Sequence, residues 1–141
     1  MLEPFTFIDR SEDHLYYLEH INNESFFVRT NLEAPNFKVL KSDSFDNTEI
    51  SNLPIIVSHD ESIFINDILY TNSRLVMEIR ENGLPELSIL HLITKELNNI
   101  QFDDNAYDVS FSYNDELDGE TFNYYYSSLT KPPRIIAYDL V

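Results

Sequence analysis

A serine pair, Ser127 and Ser128, lies between aromatic residues and a proline-rich turn in the segment FNYYYSSLTKPPRIIAYDLV. A serine becomes a nucleophile when a histidine base activates it and a sharp, glycine-flanked turn of the G-x-S-x-G kind exposes its hydroxyl. The chain has two glycines, Gly83 and Gly119, and their spacing excludes that turn. We therefore expect the two serines to shape a turn between strands, where hydroxyls bond nearby backbone groups.

The other candidate chemistries also fail on spacing. The stretch NDELDGE begins like a calcium loop, with Gly119 at its sixth position, but the twelfth position needs a bidentate glutamate and is Tyr125. The four histidines form no H-E-x-x-H pair. Two glycines this far apart also exclude the glycine-rich phosphate loops. We expect no catalytic residue, no metal and no cofactor on this chain.

The charge of the chain limits its partners. Nine basic residues against 25 acidic ones give a formal charge of −16, so we expect no binding to nucleic acid or to anionic membranes. The chain has no cysteine, and its first residues do not resemble a signal peptide. These features predict a cytoplasmic protein.

Periodicity predicts an all-β fold. About eleven short strands, rich in aromatic and β-branched residues, alternate with turns every eight to twelve residues. They fall into groups of four, four and three, which favours antiparallel four-stranded blades of a β-propeller over a closed barrel. The predicted blades span approximately residues 10–58, 62–102 and 105–141.

Alternation within the third group predicts which side chains share a face. Tyr124 and Tyr126 lie on one face of their strand and Tyr125 on the other, and we expect both faces to be buried. In the preceding strand one face is predicted to carry Tyr107, Val109, Phe111 and Tyr113.

Glu78 and Arg80 are two residues apart in RLVMEIRENGL and so share a face of one strand. An acid and a base on an otherwise apolar blade indicate a structural ion pair or a hydrogen bond between blades. A contact with a partner domain is the functional alternative, and the sequence leaves it open.

Three motifs in register resemble the last propeller blades of the prolyl oligopeptidase family of serine peptidases, most closely its oligopeptidase B (protease II) branch. They are an E-x-R-x-x-G-L stretch, a D-D-x-A-Y segment and a Y-S-S-[LM]-T-x-P segment, and the resemblance spans almost the whole chain. The residues that carry them are Glu78, Arg80, Gly83, Leu84, Asp103, Asp104, Ala106, Tyr107, Tyr126, Ser127, Ser128, Leu129, Thr130 and Pro132.

The resemblance implies a function without catalysis. In the family a seven-bladed propeller caps an α/β-hydrolase domain, which carries the catalytic serine, acid and histidine, and the propeller admits short peptides to it. By resemblance, the oligopeptidase B branch cleaves after Lys or Arg. We expect about two and a half blades here, no catalytic domain, no activity of the chain alone, and the catalytic domain and remaining blades as partners.

A second hypothesis remains open. Under this hypothesis the chain is a freestanding β-sheet interaction module, or the remnant of a split or decayed peptidase gene with no activity of its own. An incomplete propeller exposes blade faces and strand edges, so this hypothesis predicts self-association.

Overall fold

A computed structural model describes residues 14–45 and 49–141, and in these ranges the chain is almost entirely β-strand. It divides into two compact units, Met1–Glu61 and Ser62–Val141. The strands are β1 Tyr16–His20, β2 Phe26–Thr30, β3 Lys38–Ser42, β4 Ile55–Val57, β5 Ile63–Thr71, β6 Arg74–Glu81, β7 Leu84–His91, β8 Leu97–Asn99, β9 Tyr107–Phe111, β10 Thr121–Ser128 and β11 Arg134–Asp139. A single 3₁₀ turn, Ile50–Asn52, is the one helical element of the described residues.

The first unit holds one antiparallel sheet, in the order β1-β2-β3-β4. The side chain of Asn22 closes the first hairpin, because its Oδ1 accepts the backbone N–H groups of Glu24 and Ser25. The short edge strand β4 follows Pro54 directly, a position that tolerates a missing N–H.

The second unit begins with another four-stranded meander, β5-β6-β7-β8. Two-residue turns connect its longest strands, and both residues of each turn have positive φ: Asn72 and Ser73, then Asn82 and Gly83. This geometry is the type I′ turn, whose twist matches that of the flanking strands. The last strand, β8, is three exposed residues long.

A three-stranded meander, β9-β10-β11, completes the second unit. Val109, Phe122, Tyr124 and Tyr126 pack from it against residues of β6 and β7 in one buried cluster. The acidic stretch NDELDGE lies in the loop between β9 and β10 and so forms the tip of this hairpin. This shared core fixes the two sheets of the second unit against each other.

The structure confirms the all-β, antiparallel four-stranded sheets and corrects two details. Tyr113 lies outside β9 and its side chain is 78% exposed, because the strand ends at Phe111. Tyr125 is 47% exposed, so β10 is buried on the face of Tyr124 and Tyr126 only. The blade bounds and the total of seven blades stay predictions.

Candidate functional site

Residues of two family-type motifs meet at one end of the third sheet. Tyr126, near the end of β10, donates its hydroxyl hydrogen to Oδ2 of Asp104, in the segment that leads into β9. Lys131, in the turn between β10 and β11, donates to the same oxygen at 2.9 Å. The carboxylate of Asp104 thus links the β10–β11 turn to the segment that leads into β9. Hydrogen bonds to a charged group are stronger than those between neutral groups, so this link is a firm one.

Aromatic rings and cations surround the ring of Tyr126. Phe102 stacks on it, with 5.2 Å between the ring centroids and 21° between the planes, and Tyr107 lies 5.9 Å away at 22°. The Nζ of Lys131 and the Cζ of Arg134 lie 6.0 and 5.9 Å from its centroid. We name Phe102, Asp104, Tyr107, Tyr126 and Lys131 the Tyr126 network.

The network sets the protonation of its two central groups. The hydrogen bond from Tyr126, then the bond and charge of Lys131, hold the pKa of Asp104 below its usual value of 3.8. Burial and the bond to Asp104 raise the pKa of Tyr126 to about 12. At neutral pH the carboxylate is charged and the phenol is protonated, which suits a fixed bond rather than proton transfer.

Ser128, the last residue of β10, shapes the turn as expected, whereas Ser127 lies within the strand. Oγ of Ser128 accepts the backbone N–H of Lys131 at 3.1 Å and that of Thr130 at 3.4 Å, and it lies 3.3 Å from Oγ1 of Thr130. Ser127 points to the opposite face and pairs with Asp108 of β9. Pro132 is exposed in the same turn.

Two clefts flank this end of the sheet. Ser127 and Leu129, the latter 93% exposed, help to line an open apolar cleft of about 350 Å³. Asp103 is exposed and lines a smaller cleft of about 120 Å³ beside Lys131 and Arg134. The two neighbouring carboxylates therefore differ: Asp104 is bonded and Asp103 faces solvent.

The first motif lies elsewhere in the second unit and joins its two sheets. Glu78, buried on β6, accepts the side-chain amide of Asn66 at 2.7 Å and the backbone N–H of Phe111 at 3.1 Å. Arg80 instead donates to the backbone oxygen of Gly83 at 3.3 Å. Of the two structural alternatives for Glu78, the structure shows the hydrogen bond between sheets.

A second link between the same sheets was not predicted. Oγ1 of Thr71 donates to the backbone oxygen of Glu116 at 3.2 Å, and the N–H of Asn72 donates to the oxygen of Leu117 at 2.8 Å. Lys131, Phe102 and Asn66 were also missed. Their partners lie 12 to 27 positions away in the chain, or depend on ring packing, and no local motif marks such pairs.

The described residues contain no group of three or more His, Asp or Glu side chains that could hold a metal ion. Within the same ranges, no helix is long and apolar enough to span a membrane.

Comparison with known protein families shows which family the chain belongs to. The model described as "Prolyl oligopeptidase, N-terminal beta-propeller domain" matches residues 2–141. The chain belongs to this family. The three blade-like sheets and the motifs of the Tyr126 network are thus parts of a peptidase propeller.

Individual relatives agree with the oligopeptidase B branch. The chain is 26% identical over 132 residues to Protease 2 of Moraxella lacunata, an alignment that covers 93% of this chain and 18% of that protein. Oligopeptidase B from Trypanosoma brucei, solved with covalently bound antipain, superposes with a TM-score of 0.80 at 21% identity. Oligopeptidase B from Leishmania major gives 0.78 at 19%. Both superpositions cover 92% of this chain and 19% of the other, so this chain spans less than a fifth of each relative.

Proposed function

We propose that this chain is a non-catalytic propeller segment of an oligopeptidase B-like serine peptidase, and that its role is to admit short basic peptides to a catalytic domain and to exclude folded proteins. The observation that carries the proposal is the bonding of the motif residues. The hydroxyls of Ser128 and Tyr126 and the carboxylates of Asp104 and Glu78 each bond the chain's own backbone or side chains.

The negative charge of the chain supports basic peptides as the substrate class. A chain with a formal charge of −16 produces a negative field that attracts cationic peptides and repels anionic ones. The same field argues against nucleic acid and anionic membranes as partners. The proposed partners are the catalytic α/β-hydrolase domain and the remaining blades of the propeller. A cytoplasmic location belongs to the proposal, since a chain without cysteine needs no oxidising compartment.

Two assays test the proposal. The purified chain should not hydrolyse amide or ester substrates with Lys or Arg before the scissile bond, and turnover that scales with the chain would contradict it. For the gating role, this chain replaces the matching propeller segment of Protease 2 from Moraxella lacunata. The chimera should cleave a short basic peptide and spare a folded protein that contains the same sequence. Equal cleavage of both would count against gating.

One observation favours the alternative of an interaction module. The outer face of the third sheet exposes 47% of Tyr125 and 59% of Ile135. An apolar patch of this kind on a sheet is typical of a contact surface.

A further inference from the structure

The turn between β7 and β8 is closed by a side chain that can take up a proton. Nδ1 of His91, the last residue of β7, accepts the backbone N–H groups of Ile93 and Thr94, each at 3.3 Å. A ring nitrogen of histidine accepts a hydrogen bond only when it carries no hydrogen itself. The closed turn therefore contains the neutral imidazole with its hydrogen on Nε2.

Asn22 closes the first hairpin of the chain with the same arrangement. Its Oδ1 accepts the backbone N–H groups of Glu24 and Ser25 at 2.9 and 2.8 Å, so in both turns the donors lie two and three positions after the acceptor. An asparagine side chain does not titrate, whereas histidine changes its charge between about pH 8 and pH 5. The chain thus holds a titrating and a non-titrating version of one turn.

A proton on Nδ1 of His91 reverses the interaction that closes the β7–β8 turn. Both ring nitrogens of a charged imidazole are donors, so an N–H of the ring then faces the N–H groups of Ile93 and Thr94. Donors that face each other lose their hydrogen bonds and regain bonding when the turn opens to water. The two bonds of the turn therefore exist with neutral His91 and are lost when it is charged.

The charged groups on the elements next to His91 have opposite signs. Arg74 is its cross-strand partner on β6 and donates to the β5–β6 turn. Lys95 and Glu96 belong to the β7–β8 turn itself, and the β9–β10 loop, which bonds the end of β5, adds Glu116. Two bases and two acids act on the imidazole in opposite directions. The hydrogen bonds of Nδ1 are therefore the cause to which a change of the turn with pH is assigned.

The strand that follows the turn is held mainly at its far end. The strand β8 has three residues, and all of them are exposed. At its end, Asn99 accepts the hydroxyl of Ser88 at 2.8 Å, and the N–H of Ile100 donates to the oxygen of Leu87 at 2.9 Å. An opening that begins at the turn should therefore stop at Asn99.

We propose that the β7–β8 turn is a pH-sensitive hinge. In mild acid His91 gains a proton, residues 92–96 open, and the start of β8 separates from β7 while Asn99 holds the other end in place. Only residues of the second sheet take part, so the hinge does not depend on which of the proposed functions holds.

NMR of the ring nitrogens tests the first step. At about pH 8 the spectrum of His91 should show a hydrogen on Nε2 and none on Nδ1. A hydrogen on Nδ1 would overturn the proposal, because that nitrogen could then not accept the two backbone N–H groups.

Backbone hydrogen exchange of the chain, corrected for its ordinary pH dependence, tests the opening between about pH 8 and pH 5. Protection of Ile93 and Thr94 should fall about tenfold, the effect of losing hydrogen bonds of ordinary strength. Protection of Ile100 should persist, and so should that of Glu24 and Ser25 in the Asn22 turn. Constant protection of Ile93 and Thr94 would overturn the proposal. An equal loss in the Asn22 turn would also overturn it, because acid would then loosen the whole fold.

Three variants assign the effect to one side chain. His91→Asn should keep the turn closed across the pH range, because an asparagine oxygen accepts as that of Asn22 does. His91→Ala removes the acceptor and should leave Ile93 and Thr94 poorly protected at every pH. The matched control, His59→Asn, removes a histidine of the other unit and should retain the loss of protection in acid. A loss in acid that persists in His91→Asn, or that disappears in His59→Asn, would refute the role of His91.

Discussion

The carboxylate of Glu78 on β6 accepts the backbone N–H of Phe111 on β9 at 3.1 Å and thereby bonds one sheet of the second unit to the next. Its other oxygen accepts the amide of Asn66 at 2.7 Å. Both oxygens of a buried side chain are thus satisfied by donors, which is the condition for keeping a carboxylate away from water. Glu78, a residue of the E-x-R-x-x-G-L motif, therefore connects the sheet of β6 to the sheet of β9.

Substitution of Glu78 by glutamine should destabilise the fold. A glutamine offers one oxygen and one NH₂ group, so one of the two donors, Asn66 or Phe111, faces another donor. A buried donor left without a partner costs about 1–3 kcal/mol of unfolding free energy. Urea denaturation followed by tyrosine fluorescence measures the loss. Glu81→Gln removes the same charge from the end of the same strand and serves as the control. Equal stability of the two variants would show that the bond to Phe111 contributes nothing.

The Asp104 carboxylate should stabilise the fold at neutral pH and lose this effect in acid. Its folded pKa lies below 3.8, so the folded state favours the charged form, and the contribution disappears as pH falls through the folded pKa. Asp104→Asn should therefore lower the free energy of unfolding at pH 7 but have little effect in strong acid. The exposed neighbour provides the matched control, since Asp103→Asn removes the same charge from a side chain that faces solvent. A deficit for Asp104→Asn that stays constant with pH would contradict the assignment.

Tyr126 should produce the reverse effect in alkali. Its folded pKa is raised to about 12, above the value of 10.0 for an unperturbed tyrosine, so its contribution is complete below pH 10 and is lost as pH rises toward 12. Tyr126→Phe cannot ionise. The stability difference between the parent chain and this variant should shrink above pH 10 in urea titrations. A difference that stays level across this range would mean that Tyr126 ionises equally in both states.

The turn at Asn82 and Gly83 should depend on backbone conformation alone. Gly83 has a φ of +78°, and a Cβ placed there would meet no atom within 4 Å. Gly83→Ala should therefore cost about 1–2 kcal/mol, the penalty of the left-handed region for a residue with a side chain. Gly83→Asn should retain most of the stability because asparagine tolerates this region. Thermal unfolding of the two variants compares them, and equal melting temperatures would argue against the type I′ turn.

The elements that the sequence predicted are those marked by local patterns. The shared face of Tyr124 and Tyr126, for example, follows from alternation. The exposure of Tyr125 did not follow, because alternation assigns a side chain to a face and cannot show what covers that face.

The candidate site was only partly predictable. The motifs identified Asp104 and Tyr126 by resemblance, but their bond to each other depends on the packing of two segments 22 residues apart. Lys131 lies 27 residues from its carboxylate partner, so no spacing rule could pair them. For Glu78 the sequence left two structural alternatives, an ion pair or a hydrogen bond between blades. The choice depended on the position of β9 beside the sheet that contains β6, which no local pattern shows.

We propose that Ser128 bonds the backbone of its turn and that neither Ser127 nor Ser128 carries out chemistry. Incubation of the chain with a biotinylated fluorophosphonate, which labels activated serines, followed by intact-mass and peptide mapping, tests this directly. We expect an unmodified mass under conditions that fully label an oligopeptidase B, because Oγ of Ser128 is bonded to the turn backbone of Lys131. Stoichiometric labelling of Ser127 or Ser128 would show an activated nucleophile and refute a purely structural role of these serines.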